Sequence, residues 1–346
     1  MTVFTIGISP SFRGSGGTPT FPSYDISPLT MDARFTVSDL PDSVALGADD
    51  LEPFDAVIIL GQQVPAEALL TDCRLGLIVR MGVGYDNIDV SACNRAAIAL
   101  TIAPGGVRRP MALTNLTFIL ALAHRLVDKD RIARGGAPAW PERMAFHGVG
   151  LDGRTLGSVG LGNIGSELFR IAEPLNMRFI AHDPYADPAH AAALGVALVD
   201  KDTLFREADF VCLNCMLSED TRHIANARTI GLMKPTAFLI NGSRGPVVDQ
   251  KALYNALKNQ DIAGAGLDVF DPEPPDPADP ILKLDNVILA PHALGWTDHM
   301  FREFGEINCA AVLSFREGNV PANLVNAEVT SNPKFLARMD VWRQLA

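Results

Sequence analysis

The sequence predicts an α/β protein made of two doubly wound domains with parallel sheets. Three observations carry this. Short apolar runs alternate with segments of helical period twice along the 346 residues, before and after a break at Ala103-Pro-Gly-Gly106. The second series opens on Thr155-Leu-Gly-Ser-Val-Gly-Leu-Gly-Asn-Ile-Gly165, an apolar strand running into a glycine turn and then a helix. Near the end, one amphipathic helix, about Thr297 to Glu317, returns the chain toward the first domain. The length supports two real cores.

In order, Val3–Ser9 reads as the first strand, and Pro10–Tyr24, rich in Gly, Ser, Thr and Pro, as a loop. Ala33–Val37, Ala56–Leu60, Gly76–Arg80 and Ile98–Ile102 are the next strands. Ala103–Gly106 is a candidate hinge. Met111–Leu126 is a helix too apolar for an exposed surface, so burial between domains or subunits is expected. The polar stretch Asp128–Gly153, with Trp140 between prolines, reads as a surface arm, and an exposed tryptophan there points to a subunit contact. The second series places strands at Leu156–Leu161, Arg178–Asp183, Ala197–Val199, Asp209–Leu213, Ala237–Asn241, Gly264–Val269 and Val287–Ala290. Asp271–Pro280 is a stiff acidic loop, since its prolines fit neither helix nor central strand.

Gly160, Gly162 and Gly165 have the G-x-G-x-x-G spacing, which serves a tight turn, close backbone approach to a pyrophosphate, and close helix packing. The helix after it, expected over Ser166–Leu175, points free N–H groups at an anion. Gly148-Val-Gly-Leu-Asp-Gly153 has the same spacing, but no strand feeds it and no helix leaves it, so it reads as a turn. Asp183, at the end of the next strand, stands where a carboxylate binds an adenosine ribose and disfavours a 2′-phosphate. The cofactor is therefore expected to be NAD.

Ligands of open α/β sheets bind beyond the carboxyl ends of the strands. Three such ends carry Arg244, Glu273 and His292. Each alone is ordinarily a solvated or turn residue. Together they offer a guanidinium for a carboxylate, an imidazole to move a proton, and a carboxylate to orient that ring. Beside a nicotinamide this describes reduction of a 2-keto acid to a 2-hydroxy acid.

These residues, with Ile240-Asn-Gly-Ser-Arg-Gly245, Ala265-Gly-Leu-Asp-Val-Phe-Asp-Pro-Glu-Pro274, Ala290-Pro-His292 and Arg80-Met-Gly-Val-Gly-Tyr-Asp-Asn-Ile-Asp89, resemble the D-isomer-specific 2-hydroxyacid dehydrogenase family over about Val57–Asn326. The resemblance implies a Rossmann coenzyme domain, 105–295, inserted into a flavodoxin-like substrate domain, 1–104 and 296–346. It implies Arg244, Glu273 and His292 as the substrate-binding arginine, the histidine's partner and the acid/base, with Gly82, Val83 and Gly84 also holding the substrate carboxylate. The cofactor set it implies is Gly160, Gly162, Asn163, Ile164, Gly165, Asp183, Asn214, Ser243 and Asp268, without a metal. It further implies a homodimer joined through the coenzyme domain, consistent with Met111–Leu126 and the arm.

Three departures from the family pattern bear on substrate choice. Leu294 and Trp296 follow His292 where small residues are usual, and would reshape the substrate pocket. Val107-Arg-Arg-Pro-Met-Ala112 replaces a more acidic helix start, and Arg108 and Arg109 are expected to meet solvent or a structural partner, with an extra anionic group on the substrate or the cofactor as the alternatives. Val211-Cys-Leu-Asn-Cys-Met216 replaces a His-x-Pro run beside the adenosine.

Lys plus Arg number 29 against 40 Asp plus Glu, a net charge of −11, which argues against nucleic acid or an anionic membrane as partner. No run approaches a bilayer span and the first residues carry no signal-peptide pattern, so a cytoplasmic protein is expected. Beyond Asn326 about 20 residues remain, too few for an added regulatory domain. Five cysteines without framework spacing suit a reducing compartment, and Cys212 and Cys215 read as apolar strand-end thiols. The rival reading is an NAD-binding regulator of corepressor type on the same scaffold, which need not keep a proton carrier. The keto acid itself stays open among glyoxylate, hydroxypyruvate, sugar acids and phosphorylated acids.

Overall fold

A computed structural model describes residues 3–12 and 20–345. The loop expected over Pro10–Tyr24 therefore lies partly outside the described residues. The chain divides into two compact units, Met1–Val107 with Trp296–Ala346, and Arg108–Gly295.

The first unit holds a five-stranded parallel sheet of β1 (Phe4–Ile8), β2 (Phe35–Asp39), β3 (Ala56–Ile59), β4 (Leu77–Arg80) and β5 (Ala99–Ile102). Their order is β2-β1-β3-β4-β5, the flavodoxin-like arrangement, with its switch point between β1 and β3. All four residues of β3 are buried, as a parallel strand covered on both faces requires. The returning helix, Asp298–Arg316, is capped by Thr297, whose Oγ1 accepts from Met300 N at 3.2 Å. Phe304, Val312 and Phe315 of this helix are buried.

Sequence reading missed a second carboxyl-terminal helix, Pro333–Leu345. Only Phe335, Met339 and Trp342 are buried on it, too sparse a stripe to signal a helix. Trp342 lies 4.9 Å from Phe4 and Phe335 lies 6.2 Å from Phe315, ring centre to ring centre, so the segment closes the core around β1.

The candidate hinge Ala103–Gly106 holds the start of the helix Pro104–Ala123, and the boundary between the units falls just after it, between Val107 and Arg108. Proline at the first helical position loses no needed N–H and presets φ. Gly106 is there for packing: a Cβ would fall 2.7 Å from the Phe304 ring.

The second unit holds a seven-stranded parallel sheet of β6 (Thr155–Val159), β7 (Arg178–His182), β8 (Val196–Leu198), β9 (Phe210–Leu213), β10 (Phe238–Asn241), β11 (Gly264–Leu267) and β12 (Val287–Leu289). The order β12-β11-β10-β9-β6-β7-β8 reverses between β6 and β9, so the turn after β6 lies at the switch point. Phe118, Ile119, Leu122 and Ala123 of the long helix are buried with Leu156, Phe210 and Ile240 in this unit's own core. The Phe118 ring occupies the space a side chain at Gly266 would need, 2.6 Å from its Cβ. The buried part of this helix thus packs in its own unit's core, while Leu113 and Leu120 face outward.

The arm is more helical than expected, with Leu126–Arg134, Gly136–Ala139 and a 3-10 segment Trp140–Ala145. Its Leu126, Val127, Trp140 and Met144 are exposed. Among the described residues no single helix is long and apolar enough to cross a membrane; Pro104–Ala123 and Leu126–Arg134 reach that length only together, bent by 59°. Cys212 is buried in β9, and burial pushes the Cys215 thiol up to about 11, so neither is a ready thiolate.

Candidate active site

The two glycine spacings separate at once in the structure. Gly148–Gly153 follows the 3-10 segment of the arm and precedes β6 without a helix. Gly160–Gly165 follows β6 and enters the helix Asn163–Ala172, which begins three residues before the expected Ser166. The early start has a cause in the motif. Gly160 has φ +96° and lies where a Cβ would meet Asn214 O at 2.8 Å, so the chain reverses tightly against the end of β9. A Cβ on Gly165 would stand 2.4 Å from Gly160 O, so the first helical turn packs directly on the strand end.

This cradle fits a dinucleotide. Around the Cβ position of Gly162 nothing lies within 4 Å, so backbone there is open to a close-packed group. Gly162 and Asn163 are exposed, at a helix start where N–H groups have no intrahelical partner. Asp183 follows β7 and is held on both oxygens: Oδ2 accepts from Leu161 N at 2.8 Å and Oδ1 from Tyr185 N at 2.9 Å. Asn214 is turned inward, with Nδ2 donating to Ser158 Oγ at 2.9 Å and Oδ1 accepting from Asn115 Nδ2 at 2.7 Å.

Arg244, Glu273 and His292 follow β10, β11 and β12, three neighbouring strands. Asn241, the last residue of β10, shapes the first loop: its Oδ1 accepts from Ser243 N and Oγ, and its Nδ2 donates to Arg244 O. At Gly245 no side chain fits, because a Cβ would fall 1.7 Å from Phe270 O. The Arg244 loop is thereby pressed against the start of the Glu273 loop. Arg244 Nη1 donates to Ser243 O at 2.8 Å. Glu273 pairs through Oε1 with His292 Nδ1, while its Oε2 accepts from Phe270 N at 3.4 Å. Burial alone would raise the Glu273 carboxyl; the hydrogen bond and charge of His292, with smaller help from Phe270 N–H and Arg244, outweigh it and hold it below the usual range.

His292 itself has φ +54°, a left-handed backbone unusual for a side chain with Cβ. Asp268 secures that turn: buried, it accepts on Oδ1 from Ala293 N at 3.0 Å and Leu294 N at 3.2 Å. Burial raises the Asp268 carboxyl against the pull of those N–H groups and of His292, with the Glu273 charge adding to the rise. With Nδ1 facing Glu273, the ring presents Nε2 as the nitrogen for a reacting oxygen.

Gly82, Val83 and Gly84 lie in the first unit, in the loop after β4; Gly82 has φ +118° and its carbonyl accepts from Ala103 N at 2.8 Å. Leu294 and Trp296 fall on opposite sides of the unit boundary. Trp296 meets Phe21 and Phe301 edge-on, at 5.2 and 5.7 Å. Arg108 and Arg109 both reach Glu167, at 3.9 and 2.8 Å, and Arg170 joins them at 3.5 Å. Their structural partner is thus a buried carboxylate on the helix after the glycine turn. Sequence reading also missed Ser158, Ser166, His190 and Asn115, which touch this turn or its neighbours; scattered polar residues with no spacing gave no signal.

The doubly wound sheet and its glycine turn at the switch point define a dinucleotide-dependent oxidoreductase. The chain belongs to the D-isomer specific 2-hydroxyacid dehydrogenase family: residues 116–293 match that family's NAD binding domain. It is 40% identical to a glyoxylate reductase of Korarchaeum cryptofilum across 84% of this chain and 88% of the relative. A glyoxylate reductase of Thermococcus litoralis is 39% identical across 80% and 85%. Among solved structures, the TT0316 protein from Thermus thermophilus superposes with a TM-score of 0.79 at 28% identity, over 93% of this chain and 100% of that one. The protein is accordingly an NAD-dependent enzyme that interconverts a 2-keto acid and a D-2-hydroxy acid. The corepressor-type reading gains no support from these relatives.

Proposed function

We propose that the enzyme works as a 2-keto acid reductase, with 105–295 as its coenzyme domain and 1–104 with 296–346 as its substrate domain. One observation carries the assignment of roles: Glu273 and His292, hydrogen-bonded to each other, stand on adjacent strand ends, with Arg244 on the next strand over. Arg244 binds the keto acid's carboxylate and polarises the neighbouring carbonyl. The backbone of Gly82, Val83 and Gly84 is a second carboxylate-binding element. When bound, the reduced nicotinamide supplies hydride to the carbonyl carbon. His292 Nε2 gives the proton that the new hydroxyl requires, and Glu273 stabilises the protonated ring and fixes its orientation.

Gly160, Gly162, Asn163, Ile164 and Gly165 hold the pyrophosphate by backbone, Asp183 the adenosine ribose, and Asp268 and Ser243 the nicotinamide side. Asn214 serves from behind the turn, through Ser158. Leu294 and Trp296 shape the room left for the keto acid's substituent. The relatives' names make glyoxylate the first substrate to try, with hydroxypyruvate next. The protein is cytoplasmic, and it dimerises through the coenzyme domain, where Leu113, Leu120, Leu126 and Trp140 leave apolar surface uncovered.

The test is a spectrophotometric panel of 2-keto acids with NADH and NADPH. NADH oxidation by a small keto acid, well above the NADPH rate, is expected. No oxidation with any member of the panel overturns the proposal.

A further inference from the structure

The carbonyl oxygens of Gly160 and Leu161, consecutive in the glycine turn, are each capped by a serine hydroxyl. Ser158 Oγ donates to Gly160 O at 2.6 Å, and Ser166 Oγ donates to Leu161 O at 3.0 Å. Both serines are buried, at 0% and 3% exposure, so no water substitutes for these bonds. A hydroxyl has one proton. With that proton committed to the turn, any further partner of the serine must donate.

Each serine has such a donor. Asn214 Nδ2 reaches Ser158 Oγ at 2.9 Å, and Asn115 Nδ2 in turn fixes Asn214 Oδ1 at 2.7 Å. His190 Nε2 lies 2.8 Å from Ser166 Oγ, which places the ring proton on Nε2. The two N–H groups of the same residues are also occupied: Gly160 N donates to His182 O at 2.9 Å and Leu161 N to Asp183 at 2.8 Å. All four backbone polar atoms of Gly160 and Leu161 are therefore tied into the protein. The next two residues, Gly162 and Asn163, are exposed and open the helix, where N–H groups have no intrahelical partner.

We propose that Ser158 and Ser166 are positioning residues for NAD, acting through the turn rather than by touching the nucleotide. They pull two successive carbonyls inward, which rotates the next peptide units so that their N–H groups face the anion. Asn214 and His190 hold the serines in that role. The His190 arm does a second thing. His190 and Asp183 bracket the segment after β7, and both are tied to Leu161, one at its carbonyl through Ser166 and one at its N–H. The ribose-binding carboxylate and the phosphate-binding turn are thus set by one residue.

This inference rests on the assignment of the nucleotide to the Gly160–Gly165 turn, and the experiment separates the two. NADH is titrated by calorimetry, without keto acid, into wild type, Ser158→Ala, Ser166→Ala, His190→Leu and His190→Gln. Each serine variant is expected to weaken NADH binding about tenfold, because the freed carbonyl lets the turn leave the geometry that aims its N–H groups at the anion. At saturating NADH, kcat and the keto acid KM should stay within about twofold, a split that general loss of structure does not produce. His190→Leu is expected to bind several-fold more weakly, and His190→Gln, which keeps an N–H donor, to recover most of the loss. Folded serine variants with wild-type NADH affinity overturn the proposal. If those variants do not fold, the His190 pair decides: equal weakening in Leu and Gln, or none in either, overturns it. Failure of wild type to bind NADH overturns the cofactor site itself.

Discussion

The carboxyl edge of the seven-stranded sheet has two ends built from opposite materials. At β10–β12 the groups are ionisable side chains within reach of solvent, with the His292 and Glu273 side chains 44% and 37% exposed. At β6–β7 the groups proposed for the pyrophosphate are backbone, with Asp183 beside them for the ribose, and the side chains behind the turn, Ser158 and Ser166, are neutral and buried. A proton can be moved only by a side chain that the substrate touches, whereas an anion is held well by N–H groups that need only be aimed. One end should therefore govern kcat and the other nucleotide affinity.

The largest effect expected from breaking this division is at His292. His292→Ala should lower keto acid turnover by about a hundredfold to ten-thousandfold while NADH binding survives, as paired steady-state and titration measurements would show. An equal collapse of NADH binding would dissolve the distinction between the ends. Glu273→Gln should cost about tenfold to a hundredfold in turnover, since it removes the charge that favours the protonated ring.

The same residue gives a pH signature. The Glu273 carboxyl is held below its ordinary value, so its contribution to stability is complete above that value and is lost as pH falls through the lowered one. Melting temperatures of wild type and Glu273→Gln should therefore differ near neutrality and converge on acidification. Curves that diverge in acid would show that the pair does not favour the ionised carboxyl.

Asp183 tests the other end. Asp183→Ala should narrow the preference for NADH over NADPH by about tenfold with little change in kcat, because a repulsive charge near the 2′ position is lost. An unchanged ratio would remove Asp183 from that role. The smallest effect is expected at the false copy of the motif. Gly153 has φ +69° with open space around it, so Gly153→Ala should cost about 1 kcal/mol of stability in a denaturant titration and leave NADH binding unaltered.

Much of this was legible without coordinates. The central strands of the second series, such as β9 and β11, announce themselves as short apolar runs, because strands inside a parallel sheet are covered on both faces. Gly160–Gly165 and Arg244, Glu273 and His292 are legible too, since they stand at strand ends where ligands bind. Boundaries were less so. Pro104 and the two glycines after it look like a break, yet they start a helix; Gly106 answers to the Phe304 ring and Gly105 to Ile307, both on a segment roughly 200 residues away. The helix Pro333–Leu345 was invisible because its buried residues are few and its docking surface is β1 and the preceding helix.

What the sequence determined by itself is the alternation of elements, the glycine turn chosen over its copy by the strand and helix around it, and the three ionisable residues beyond consecutive strands. These follow from local periodicity and from the rule that open sheets bind at their carboxyl edge. Only the tertiary structure decided that Ser158 and Ser166 face the turn's carbonyls, that His190 returns to meet Ser166, and that Arg108 and Arg109 close on Glu167. The serine contacts are short-range, but like the longer ones they depend on distance and direction in space, which no spacing along the chain encodes.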